Sequence, residues 1–279
     1  MATEAKGKKK EAGILSEIWQ NRQIIRRLAV NDFRTRYAGS YLGIIWAFVQ
    51  PCITILLYWF VFEKGLRAGR QAVGNGEVPF LLFLISGLVP WFFFADALPN
   101  GTGSLISYDY LVKKVVFKVS ILPVVRIIAS IFVHLFFIVV AVVIFWAYGY
   151  PPDACTLQVF YYSFGTMLLA LGLSYMTSAA VVFFRDLKEI VGIVLQIMVW
   201  ATPIMWNLET TVKSGALRVV FKLNPMYYVV SGYRDALINK KWFWENPGWT
   251  LWFWGVTAAV LVLGGFIFRR LMKHFADVL

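Results

Sequence analysis

The sequence predicts an all-α membrane protein of six transmembrane helices, with an N-terminal amphipathic interface helix and an external re-entrant helical segment before the sixth span. Three observations predict it. Of 279 residues, 59% are hydrophobic and 15% charged, against about 25% charge in a soluble domain. Gly43 to Phe62 runs for twenty positions without a charged residue, and at about 1.5 Å per residue such a helix crosses roughly 30 Å of hydrocarbon. Directly ahead of it, Arg26, Arg27, Arg34 and Arg36 stand among Phe33, Tyr37 and Tyr41. Arginine at that junction favours the cytoplasmic side, where anionic lipid attracts it and translocation is resisted.

Two units follow, a tail and interface helix over 1–42 and a six-span domain over 43–279. Residues 1–13 read as a basic, disordered tail with no apolar core or cleavage site of a secretory signal. From Ile14 to Tyr37, Ile14, Ile18, Ile25, Leu28, Ala29, Phe33 and Tyr37 alternate with Arg22, Arg26, Arg34 and Arg36. That spacing predicts a helix with one apolar and one cationic face, suited to the membrane interface or to an ordinary amphipathic packing role. After the first span, the second covers Val78 to Leu98, with Pro90 inside and the aromatic run Trp91-Phe92-Phe93-Phe94. A polar loop over 99–120 leads to the third span, Ile121 to Tyr148, which carries Arg126 near its start and His134 inside. Gly149 to Asp153 reads as a tight turn. The fourth span, Leu157 to Phe184, contains Gly165, Ala170, Gly172, Ser174 and Ser178, small enough for another helix to approach closely. The fifth, Ile190 to Trp206, is broken by Pro203. Within 207–248, the thirteen residues from Met226 to Ile238 are too short and too polar to span, and suit a re-entrant or interfacial helix. Trp242, Phe243, Trp244 and Trp249 form an aromatic belt before the sixth span, Trp249 to Phe268.

Charge sets the orientation. With both termini inside, inner segments hold 18 of the 27 basic residues and outer segments 9. The net charge of +12 thus belongs to topology and lipid headgroups rather than to nucleic acid.

Chemistry is sparse. Asp96 is the only acid inside a predicted span, and it lies near an end. An ion-coupled carrier usually needs buried ionisable groups along its path. His134 is open to two readings, a helix–helix hydrogen bonder or a proton relay. Gly69 to Gly76, GRQAVGNG, spaces two glycines like a phosphate loop, but Asn75-Gly76 stands where Lys-Ser/Thr is required. Cys52 and Cys155 form neither a disulfide framework nor a metal-ligand spacing. No catalytic or metal site is expected, and energy for uphill movement must come from another chain. The 99–120 loop is where such a chain could push. Tyr108-Asp109-Tyr110-Leu111-Val112-Lys113-Lys114 could form a helical turn with aromatic and cationic faces, or a plain basic inner loop.

Several stretches in order resemble the permease subunit of a type-2 ABC exporter, the polysaccharide, O-antigen and teichoic-acid group. Phe33-Arg34-Thr35-Arg36-Tyr37 through Ser40, Leu42-Gly43 and Trp46, then Gln50-Pro51, is similar to that group's RY…S.LG..W…P pattern. Leu111 to Phe117 with Ser120-Ile121-Leu122-Pro123 resembles its coupling helix, with Lys118 where many relatives place proline. Phe183-Phe184-Arg185-Asp186-Leu187 and Thr202-Pro203-Ile204 resemble the ends of span five. Leu223-Asn224-Pro225-Met226 with Tyr233-Arg234 resembles the external re-entrant segment.

The resemblance implies a homodimer of this chain with two cytoplasmic ABC ATPase subunits that bind ATP and Mg, in the bacterial inner membrane. It implies an undecaprenyl-diphosphate-linked glycan as cargo, with a lipid or small drug as the alternative. Arg34, Arg36 and Tyr37 would mark an entry lip where cations meet the diphosphate, although topology explains the same arginines. Trp46, Tyr58, Trp59, Trp91, Phe92, Trp200 and Trp206 could line a path for sugar rings, or pack against lipid.

Overall fold

The computed structural model describes residues 14–36, 38–39, 41–74, 76–112 and 118–278. The chain is mostly helical. The amphipathic pattern at its start gives α1 (Ile14–Gln20) and α2 (Arg22–Arg36). The first uncharged run gives α3 (Trp46–Trp59), entered by a 3-10 turn and left by a π-helical turn over Phe60–Gly65. One short hairpin interrupts the helices. β1 (Gln71–Val73) and β2 (Gly76–Val78) pair antiparallel, Gln71 opposite Val78. Val73 and Val78 are the buried side chains of this hairpin, so two apolar anchors at alternating positions pin it to the bundle. GRQAVGNG is therefore a hairpin and not a strand-to-helix phosphate loop.

The second apolar run forms α4 (Phe80–Thr102), followed by the short α5 (Ser104–Ser107) and α6 (Asp109–Val112). Then come α7 (Leu122–Ala147), with Pro123 in its first turn, and α8 (Gln158–Val181). Proline there forgoes an N–H that has no helical partner anyway. α9 (Leu187–Ala201) stops ahead of Pro203, as the restriction on residues before proline requires. α10 (Leu208–Thr211), α11 (Gly215–Lys222) and α12 (Pro225–Arg234) lead to α13 (Pro247–Met272) and α14 (Phe275–Val278).

Among the described residues, five helical segments are long and apolar enough to cross a membrane: Gly43–Gly65, Phe80–Thr102, Val119–Ala147, Ala154–Val181 and Pro247–Met272. The fifth span expected at 190–206 is shorter than predicted, because the helix holds 15 residues, about 22 Å at 1.5 Å each.

α4 is the central helix. It packs on α7, α8 and α12, and more lightly on α3 and α9. In its most apolar stretch 78% of the residues are buried, against 6% for the α3 segment. α8 also packs along α13, and small residues set that distance. A Cβ on Gly172 would lie 2.8 Å from the backbone nitrogen of Leu261, and one on Gly264 would collide with the Gly172 carbonyl. Of the small residues predicted in the fourth span, Gly172 thus meets α13 backbone to backbone, Gly165 packs under the Phe253 ring, and Ser174 faces Gly101 of α4.

Two apolar clusters divide the molecule along its length. The larger joins the hairpin and α12 to α4, α7 and α8. The smaller gathers Ile25 and Ala29 of α2, Leu105 of α5, Tyr108, and Phe268 and Phe275 near the C-terminus. Hence α2 and α14 share one end of the bundle, the tail end, and the hairpin and α12 mark the other.

Candidate functional site at the tail end and the cavity among the spans

α2 lays its apolar face on α7. One polar residue interrupts that face. Asp32, 4% exposed, follows Ile25 and Ala29 on the buried side. Its Oδ1 lies 2.7 Å from Nη1 of Arg126 in the first turns of α7. The same oxygen accepts the Tyr108 hydroxyl at 2.8 Å. Its Oδ2 takes Arg36 Nη2 at 3.3 Å, one helical turn on. Arg36 then reaches Asp96 of α4 through Nη1 at 3.0 Å, and Asn100 donates to Asp96 at 2.9 Å. The Arg126 guanidinium also sits 4.8 Å over the Tyr108 ring. Two carboxylates and two guanidiniums thereby tie α2, α4, α7 and the α5–α6 turn together. Burial pushes the Tyr108 phenol well above its ordinary range, reinforced by the hydrogen bond to Asp32, so Tyr108 is a donor at physiological pH. A second clasp lies beside it. Ser120 donates to Glu17 at 2.5 Å and Lys118 reaches Glu17 at 3.5 Å.

The predicted docking residues divide. Tyr108 points inward into this cluster, whereas Tyr110 and Asp109 are exposed and Leu111 is half-buried. Lys113 and Lys114 lie outside the described residues, as does Tyr37. The entry-lip arginines divide too. Residues two apart on a helix face about 200° from one another. Arg36 therefore enters the ionic cluster, while Arg34 joins Arg26 and Arg27 on an open basic groove of about 590 Å³. Asp32 is the participant the sequence reading missed. Its signal was a lone acid at the apolar register of α2, four residues before an arginine.

Nearer the middle, a cavity of about 270 Å³ lies between α3, α4 and α7. Trp46 and Phe92 line it with Gln50, Thr54, Asp96 and His134. Trp91 instead turns into the core. Tyr58 and Trp59 are half-buried against the core, Trp200 is exposed, and Trp206 donates its indole N–H to the Trp200 carbonyl at 3.0 Å. His134 bonds Ser163 of α8 at 2.9 Å and Tyr233 of α12 at 3.2 Å, the helix–helix hydrogen-bonding role open to it from sequence.

The segment before α13 is locked in place. Asn224 caps α12, accepting the Met226 N–H at 3.0 Å and donating to Thr202 at 2.8 Å. Pro225 occupies the first helical position. Tyr233 and Ser163 are 2.6 Å apart. Arg234, 9% exposed, donates to the Ile204 carbonyl at 3.0 Å and lies 3.7 Å over the Phe83 ring.

A bundle of apolar, membrane-length helices with a cavity among them and an ionic clasp at one end has the architecture of a multi-pass membrane protein. The chain belongs to the ABC-2 type transporter family, whose model matches residues 23–238. It is 28% identical over 250 residues to an O-antigen export system permease protein of Klebsiella pneumoniae, covering 89% of this chain and 92% of that one. Similarity to the O-antigen export system permease protein of Myxococcus xanthus is 29% over 264 residues, 95% of this chain and 98% of the relative. With a polysialic acid transport protein of Escherichia coli it is 21% over 215 residues, 77% and 81% of the two chains.

Proposed function

We propose that this chain is the membrane subunit of an ATP-driven exporter that passes a lipid-linked polysaccharide out across the bacterial cytoplasmic membrane. The observation that carries the reading is the collinear similarity to an O-antigen export permease over 95% of this chain and 98% of that relative. ATP and magnesium belong to separate subunits on the cytoplasmic side, and this chain contributes the gate.

The tail end faces the cytoplasm, in keeping with the excess of basic residues there. Six crossings supply both termini to that end. α9 makes the fifth, since Phe183 just before it rests on Phe275 at 6.3 Å, while Asn207 beyond it donates to the Ala72 carbonyl of the hairpin. α12, packed between spans, is the external re-entrant helix. A second copy of the chain covers α3 and α9, which pack only lightly on α4 and expose Ile53, Leu56, Leu57, Ile193 and Ile197. The path opens between the copies, beside the cavity lined by Trp46 and Phe92.

The motor presses on the turn around Tyr110. Tyr108, Asp32 and Arg126 carry that displacement into α2 and α7 as one body, because a hydrogen-bonded charge cluster shifts together more readily than it dissociates. Arg26, Arg27 and Arg34 meet the diphosphate of the carrier lipid at the headgroup level. Proteoliposomes holding this chain with its ATPase should move a lipid-linked glycan only with ATP, and the chain alone should move none. Depletion in cells should accumulate undecaprenyl-linked glycan inside. Uphill transport by the chain alone sinks the reading. Drug sensitivity on depletion, without glycan accumulation, transfers it to a lipid or small-drug exporter.

A further inference from the structure

A second cavity, of about 180 Å³, lies at the hairpin end between α12, α8 and the start of α13. It is smaller than the roughly 300 Å³ of a drug-sized site, the scale of a single sugar ring. Aromatic residues make up much of its lining: Tyr162, Tyr227, Tyr228, Trp242, Phe243 and Trp249. Two of these rings are held by stacking. Trp242 stacks on Trp244 at 4.5 Å and 10°, and Phe243 stacks on Tyr161 at 4.2 Å and 19°. Gly232 forms part of the floor, where any Cβ would collide with the Tyr162 ring.

Polar groups face the same space: the Asp235 carboxylate, the Ser231 hydroxyl and the Asn246 amide. Asp235 accepts from Asn239 at 2.7 Å. Among the described residues no cation lies within ion-pair distance of it. Lys222, also at the wall, is held by Glu209 at 2.8 Å. Half-buried and already bonded to Asn239, the Asp235 carboxylate still has room to accept two adjacent hydroxyls of a ligand side by side.

We infer that this cavity is a binding site for one neutral pyranose unit of a glycan, stacked on Trp242 and Trp249 and hydrogen-bonded through Asp235 and Asn246. A pyranose presents an apolar C–H face and an edge of hydroxyls, matching one aromatic wall and one polar wall. A phosphate or acidic sugar is disfavoured by the Asp235 charge. A quaternary ammonium would use the rings and the carboxylate but leave Ser231 and Asn246 unused. The site rests on the reading that the hairpin end faces outward, into the compartment that receives exported glycan. It lies on the α8–α13 side of the bundle, away from the bare α3 and α9 faces.

The test uses purified full-length chain in detergent, with tryptophan fluorescence as the signal. Probes are neutral methyl pyranosides, phosphocholine, and neutral oligosaccharides cut from the cell's own exported polysaccharide. Saturable quenching by at least one neutral pyranoside or oligosaccharide is expected, at least tenfold weaker in Asp235→Asn and in Trp242→Ala. Trp242 is half-buried and is itself one of the reporting indoles, so binding to Trp242→Ala is read by isothermal titration calorimetry, which keeps the test decisive should Asp235→Asn fold poorly. Tighter binding of the oligosaccharides identifies exported glycan as the source, and equal binding identifies a free sugar; both support a pyranose site. No saturable response to any neutral sugar, a response only to phosphocholine, or binding unchanged in both variants overturns it. ATP-driven export by the wild-type chain is measured in parallel, so a silent cavity and a failed export reading are told apart.

Discussion

Asp32→Ala is the perturbation that bears most directly on the tail-end clasp. Asp32 accepts from Arg126 at 2.7 Å, Tyr108 at 2.8 Å and Arg36 at 3.3 Å, and is 4% exposed. Arg36 keeps Asp96 as a partner, so the loss falls mainly on Arg126 and Tyr108. Removing one member of a buried pair leaves the other charge uncompensated, at about 3–5 kcal/mol. At 1.4 kcal/mol per factor of ten, that lowers the folded-to-unfolded ratio by roughly 10² to 4 × 10³. The assay is reversible unfolding in mixed micelles, with protease accessibility of α2 measured in native vesicles. α2 should become cleavable while the five long spans stay inserted. The combined replacement Asp32→Leu, Arg126→Met and Tyr108→Phe, which leaves no buried donor without its acceptor, separates stability from coupling. Matched apolar groups in place of a buried ion pair are often neutral or stabilising. This variant should fold as well as the wild type and yet lose glycan-stimulated ATPase activity. A loss below about 1 kcal/mol in Asp32→Ala, with α2 still protected, refutes the clasp as a structural tie. Full export by the combined variant refutes its role in coupling.

Three other outcomes are expected. Gly172→Leu should separate α8 from α13 and cut the yield of monodisperse protein, with an overpacking cost of about 1–3 kcal/mol; Gly255→Leu, at a position facing open space, should not. Arg234→Met leaves the Ile204 carbonyl without its 3.0 Å donor, so stability should fall by about 1–3 kcal/mol and cysteines introduced at 202–205 should label faster. Burial raises the Asp153 carboxyl, but hydrogen bonds from Lys240 and Thr156 outweigh it and hold the group below its ordinary 3.8. A depressed carboxyl stabilises the fold above its unfolded value and loses that contribution as pH falls through the folded one. The stability difference between wild type and Asp153→Asn should therefore shrink as pH drops below 3.8; a difference that stays constant there argues against the Asp153–Lys240 clamp.

Much of the architecture was legible along the chain, because partition into a bilayer is decided segment by segment. The uncharged stretch from Gly43, the runs behind α4, α7, α8 and α13, and the break at Pro203 announce themselves by length, hydropathy and proline alone. The close approach at Gly172 was legible for the same reason. A small residue acts over a few positions, whatever lies opposite. Their partners were not legible. Nothing in the string says that Tyr108 meets Asp32, 76 positions away, or that Arg36 turns to Asp96 while Arg34, two residues earlier, faces outward. The hairpin at 71–78 and the aromatic cavity beside Asp235 depend likewise on surfaces brought together from distant segments. Hydropathy fixed which stretches enter the membrane, since that is a transfer free energy of each stretch by itself. Pairing of charges, orientation of rings and the shape of cavities came only with tertiary structure, because each is a property of two or more segments at contact distance.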